Sequence, residues 1–129
     1  GTEKFSLEST RIEFFEGSSI LTLAEPTFLT NGLFGKPLRL QASEGHLDSA
    51  LGKLDLNGSV RADINTHGDL TQLTTEHLTY FTDRNIAMTE SSFNLSTPQS
   101  NASGTGLYID LIKETFTIKS KVRVTHEPI

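Results

Sequence analysis

A strand–turn–strand phrase recurs four times in this 129-residue chain, and it limits the possible folds more than any other feature. Each copy has an apolar anchor, in turn Ile12, Leu47, Leu78 and Leu107. Each closes on an alternating beat: Leu21-x-Leu23 then Phe28, Leu54-x-Leu56 then Val60, Ile86-x-Met88 then Phe93, and Phe116-x-Ile118 then Val122. Successive anchors lie 35, 31 and 29 residues apart. A unit of that size cannot bury its apolar face alone, so neighbouring units must stack. The expectation is a stacked β-architecture with an apolar inside and open ends, an object better suited to binding than to catalysis.

Alternation fills the chain. Leu38-x-Leu40-x-Ala42, the run from Leu54 to Ile64 and the run from Phe116 to Val124 all read as half-buried strands. Turn chemistry separates such runs at Glu16-Gly17-Ser18-Ser19, Asn31-Gly32, Leu51-Gly52-Lys53, His67-Gly68-Asp69, Asp83-Arg84-Asn85 and Lys113-Glu114. No amphipathic helix is legible. Repeats one and three close five residues after the second apolar position of the beat, which breaks the parity of two; repeats two and four close after four. Either the first pair bends at a bulge or corner where the second pair runs straight, or the repeat has drifted. The stretch from Thr97 to Gly106, rich in Ser, Asn and Gly, reads as a connection between sheet layers.

The length suits one domain, taken as residues 1–129. An apolar share of 35% is low for a packed domain, but it fits strands with one apolar and one polar face. A net charge of −5 argues against a nucleic-acid partner, which would demand a basic stripe. With no cysteine there is no disulfide framework, thiol nucleophile or cysteine metal site. No apolar run approaches the roughly 20 residues of a membrane-spanning helix. The chain opens on Gly1-Thr2 without Met, which reads as a trimmed boundary with a segment missing upstream.

Catalytic chemistry finds little support. His46, His67, His77 and His126 never fall two or four residues apart. Glu44-x-His46-x-Asp48 offers one imidazole with two carboxylates, a thin ligand set better read as a solvated strand face, so no metal site is expected. Asp55, Asp63 and Asp110 alternate with apolar residues and read as outward-facing. Gly104-x-Gly106 lacks the third glycine and the helix that phosphate cradling needs; it marks a bend or a close approach of backbones. Three Asn-x-Ser sequons, at Asn57, Asn94 and Asn101, matter only in a eukaryotic secretory setting. Lys119, Lys121 and Arg123 make one face of the last strand cationic, either to protect an edge or to meet an anionic partner.

The ordered series Leu38–Asp48, Lys53–Val60, Leu73–Tyr80, Ala102–Asp110 and Ser120–Arg123 resembles the periplasmic domain of the LptC family, inner-membrane components of lipopolysaccharide export. The resemblance implies an all-β, open, V-shaped jellyroll of two antiparallel sheets. It implies a periplasmic place, with an inner-membrane anchor ahead of the domain that this chain lacks. The implied partners are lipopolysaccharide, the membrane subunits of an ABC transporter, and an LptA-like periplasmic protein added at a sheet edge. No cofactor, no catalytic residue and no enzymatic activity are implied. By parity, Phe14, Leu40, Leu56, Tyr80, Met88, Leu107 and Phe116 are expected to line a lipid-accessible interior. Ile118, Lys119, Lys121, Val122, Arg123 and Val124 are expected to form the partner-strand interface. The rival readings are an LptA-like soluble bridge, a β-repeat scaffold whose inside is filled, and a hydrolase working in a β-cleft; the last lacks a convergent polar constellation.

Overall fold

The computed structural model describes residues 5–30, 37–66 and 69–126; the side chains at 66, 120–123 and 126 lie outside that description. Eleven strands account for most of it, and none of the described residues is helical. In chain order they are β1 (Phe5–Glu8), β2 (Arg11–Phe14), β3 (Ile20–Ala24), β4 (Thr27–Thr30), β5 (Leu38–Gln41), β6 (Glu44–Asp48), β7 (Lys53–Thr66), β8 (Asp69–Phe81), β9 (Ile86–Ser96), β10 (Ser100–Asp110) and β11 (Thr115–His126). Every pairing is antiparallel.

β7 is the branch point. Its first five residues pair with β6, and residues 61–64 pair with β5. Beyond β6 lie β3 and β2, and beyond β5 lie β4 and β1. On the other side of β7, strands β8 to β11 follow at full length. The two antiparallel sheets expected from sequence are therefore two halves of one hydrogen-bonded sheet, folded along a crease. We call them the β1 half and the β2 half after their outermost strands. They stay joined because β7 to β11, at 11 to 14 residues each, run through the crease instead of ending at it.

Bulges make the crease. On β7, Gly58 and Ser59 together oppose Glu76 of β8, and both adopt left-handed backbone (φ 83° and 47°). That conformation costs a glycine nothing and other residues more. The register slips again between β8 and β9, between β9 and β10, and between β10 and β11. The early strands turn the same corner at Glu25 (φ 48°) and Pro26, between β3 and β4. All four repeats bend, which corrects the expectation that two and four run straight. The even count from Leu56 to Val60 conceals a two-residue bulge set against one partner residue, and parity does not register such an insertion. The connection expected at Thr97–Gly106 is mostly strand: only residues 97–99 form a turn, in which the Thr97 hydroxyl accepts the Ser100 N–H at 3.0 Å.

The pairing register lines up inward residues in unbroken apolar rows. In the β2 half one row runs Phe14, Leu21, Leu47, Leu54, Tyr80, Ala87, Ile109, Phe116. In the β1 half another runs Leu7, Phe28, Leu40, Ala62, Leu73, Leu95, Ala102, Val124. The halves meet where the Phe28 ring packs on Tyr80, with centroids 5.4 Å apart. Burying each large apolar side chain contributes about 1.5–3 kcal/mol. The buried Tyr80 hydroxyl donates to Asn85 Oδ1 at 3.0 Å, so it carries no desolvation penalty.

Candidate functional site

The inner rows are covered unevenly along their length. Leu54, Leu56, Leu73, Leu78, Leu107 and Ile109 are all 0% exposed, so the middle of the interior is filled by the protein's own side chains. At the ends the same rows come to the surface. Phe5 is 49% exposed, Ile12 48%, Phe14 69% and Val124 61%. Phe116 and Ile118 are half-buried against the core. The cause is topological: among the described residues β1, β2 and β11 each have one neighbour, so their inward side chains lack a covering strand on one side. Rings also lead inward from the β1 edge, because Phe5 lies 5.0 Å from Phe28, which lies against Tyr80.

Of the residues expected to line the interior, Leu40, Leu56, Tyr80 and Leu107 are fully packed inward, and Phe14 and Phe116 sit at opposite ends of one row. Met88 departs from the expected parity. It pairs with Thr79 and Tyr108, while its inward neighbours on β9 are Ala87 and Thr89. Parity within the beat Ile86-x-Met88 marked the wrong face: those two side chains lie half-buried on the outer side of the sheet. The expected lining left out Phe5, Leu7 and Ile12, although Ile12 anchors the first repeat. Alternation in Ile12-x-Phe14 was the available signal for the β2 edge, and the shorter Phe5-x-Leu7 for β1.

Among the described residues β11 is an edge strand, as expected, pairing only with β10. The side chains of Lys121, Val122 and Arg123 lie outside the described residues. Lys119 faces outward and reaches across β10 to Glu90 of β9, with Nζ 2.6 Å from Oε1. It can do so because Gly106 lies beneath it. A Cβ at Gly106 would come within 3.0 Å of the Lys119 Cβ, and the backbone there is left-handed (φ 81°). The close approach suspected at Gly104-x-Gly106 is this crossing.

The outer face carries the other charges. Asp55 accepts a hydrogen bond from the Thr79 hydroxyl at 2.6 Å and lies 3.6 Å from Lys53 Nζ and 3.8 Å from His77 Nε2. His46 and His77 point away from the interior, as their place beside the anchors implied. His67 lies outside the described residues. Among the described residues no three metal-ligating side chains converge.

The site thus belongs to an all-β class, an open antiparallel jellyroll whose apolar interior comes to the surface at its edge strands. Its fold is that of LptH from Pseudomonas aeruginosa, whose structure is described as the LptA-homologous periplasmic component of the conserved lipopolysaccharide transport device. The two superpose with a TM-score of 0.80 at 10% sequence identity, over 98% of this chain and 96% of that one. No curated protein sequence matches the chain. A family model described as lipopolysaccharide-assembly, LptC-related, matches residues 1–127, and the chain belongs to that family. It is thus a non-enzymatic participant in lipopolysaccharide transport, and its place is the periplasm.

Proposed function

We propose that this domain relays lipopolysaccharide from the membrane subunits of an inner-membrane ABC transporter to a like-folded, LptA-like periplasmic protein. In this reading an anchor preceding the domain holds it at the inner membrane. The observation that carries the proposal is the apolar row from Phe14 to Phe116, continuous across eight strands, exposed at Phe14 and half-buried at Phe116. Acyl chains need apolar cover without deep polar recognition, and each buried methylene contributes about 0.8 kcal/mol. Because the middle is packed, cargo first meets Phe14 or Phe116, and reaches Leu40, Leu56, Tyr80 and Leu107 only when Phe28 and Tyr80 part. The partner pairs along β11 by strand addition, so that its inner rows continue those ending at Phe116, Ile118 and Val124.

One observation favours a different reading. A filled centre is what a scaffold with no cargo would have. Photo-reactive residues at Phe14, Phe116 and Met88 separate the two. The relay reading expects crosslinks to lipopolysaccharide at the first two and none at the outward Met88. Equal labelling at all three, or none at any, would return the domain to the scaffold class. The strand-addition part has its own test. In an edge strand, consecutive N–H groups alternate between the neighbouring strand and open space. Of Thr117→Pro and Ile118→Pro, one should therefore leave the domain folded and abolish capture of the LptA-like partner. If both folded variants capture it undiminished, the partner docks elsewhere.

A further inference from the structure

Along the outer side of the crease runs a trough of about 710 Å³ that the interior rows do not use. Four adjacent strands each give it three consecutive residues: 59–61 on β7, 74–76 on β8, 92–94 on β9 and 103–105 on β10. The middle residue of each triplet, Val60, Thr75, Phe93 or Gly104, belongs to a register line on the inner side, so its backbone forms the floor. Flanking residues form two walls. On one, Arg61, Thr74, Asn94 and Ser103 stand in register, each opposite the next. On the other stand Glu76, whose Oε2 accepts the Ser59 N–H at 3.0 Å, and the hydroxyls of Ser92 and Thr105, 3.4 Å apart.

The lining narrows the ligand. The floor is a face of the sheet, whose backbone groups point along it toward neighbouring strands and not into the trough, so the trough cannot accept a peptide by strand addition. Of its lining residues only Val60 and Phe93 carry apolar side chains, and both are buried on the inner side. Arg61 is engaged by Asp63 at 3.3 Å and is balanced across the trough by Glu76, which disfavours a phosphate. What remains is a mixed row of donors and acceptors. Thr74, Asn94 and Ser103 have no side-chain hydrogen bond among the described residues, and they recur at the strand spacing of about 4.8 Å. That repeat is close to the length of one sugar ring. The volume falls within the roughly 300–1,000 Å³ typical of small-ligand clefts.

We propose that this trough binds a short, hydroxyl-rich oligosaccharide, with Thr74, Asn94 and Ser103 as the hydrogen-bonding row. The sugar can belong to the cargo or to the cell wall, and the experiment separates these sources. The isotopically labelled chain is titrated, with amide shifts as readout, against lipid-free oligosaccharide released from lipopolysaccharide by mild acid. A second titration uses a trimer of N-acetylglucosamine. The expected result is saturable shifts confined to the four triplets with at least one probe. A response to the first alone assigns the cargo's glycan, and to the second alone the wall's. Thr74→Val with Asn94→Ala should weaken binding at least fivefold while circular dichroism stays unchanged; Ser103→Ala serves the same purpose should the double variant not fold. No shift at millimolar glycan, shifts centred on β1, β2 or β11, or undiminished binding by the folded variants would overturn the proposal. None of those results bears on crosslinking at Phe14 and Phe116, so this inference and the relay reading fail separately.

Discussion

The centre of the sheet and its edges are written in the same alternating code and end in different physical states. Leu54 on β7 and Phe14 on β2 occupy one register row, yet the first is fully buried and the second 69% exposed. Alternation chooses the face of a strand; only neighbouring strands on both sides, and the opposite half above, give the cover. The difference is also a division of labour. The centre, closed by Phe28 against Tyr80, supplies stability, and the edges keep apolar surface exposed, which the relay reading assigns to cargo and to a partner jellyroll.

The largest effect should come from charging the centre. Leu56→Ala removes fully buried methyl groups and should cost about 2–5 kcal/mol. Leu56→Asp adds an unpaired carboxylate in the same place and should cost more, up to loss of folding. Urea unfolding measures both. A change within about 0.5 kcal/mol would mean that the centre is a loose groove and that the contrast with the edges is false. A smaller effect is expected at the crease beside the C-terminal edge. Gly106→Ala imposes a Cβ on left-handed backbone and against Lys119, and should cost about 1–2 kcal/mol. Unchanged stability would show that β10 can relax there and that Lys119 need not cross it. The smallest effect on stability belongs to Phe14→Ser, within about 0.5 kcal/mol as for an exposed site. The same variant should lower lipopolysaccharide binding several-fold, read by crosslinking yield or by displacement of an apolar dye. Loss of stability with no loss of binding would reverse the roles given to centre and edge.

Much of this arrangement was legible beforehand, and the failures have physical causes. The runs Leu38–Ala42, Leu54–Ile64 and Phe116–Val124 became β5, β7 and β11 because a period of two with apolar residues on one side admits few other solutions. Met88 was misplaced because the apolar pair Ile86-x-Met88 lies on the outer face of β9, whose inward positions there hold Ala87 and Thr89. The bulge at Gly58 and Ser59 was hidden because it leaves the count from Leu56 to Val60 even. The outer trough had no signature at all, since Ser, Thr and Asn on a solvated face look alike whether or not a crease gathers them.

By itself, then, the sequence determined the all-β character, the repeat, the inward identity of Leu40, Leu56, Tyr80 and Leu107, and enough ordered phrases to resemble the LptC family. These are local or statistical properties: alternation, turn chemistry, composition and order along the chain. The tertiary structure decided which inward residues are covered, where the sheet folds, and which strands are left with a free edge. Those outcomes depend on pairings between residues far apart in the chain, such as Leu21 with Leu47 or Phe28 with Leu40, and on bulges that change parity without changing composition. A row of apolar residues becomes either a sealed core or an accessible edge according to how many strands flank it, and that number is a property of the assembled sheet.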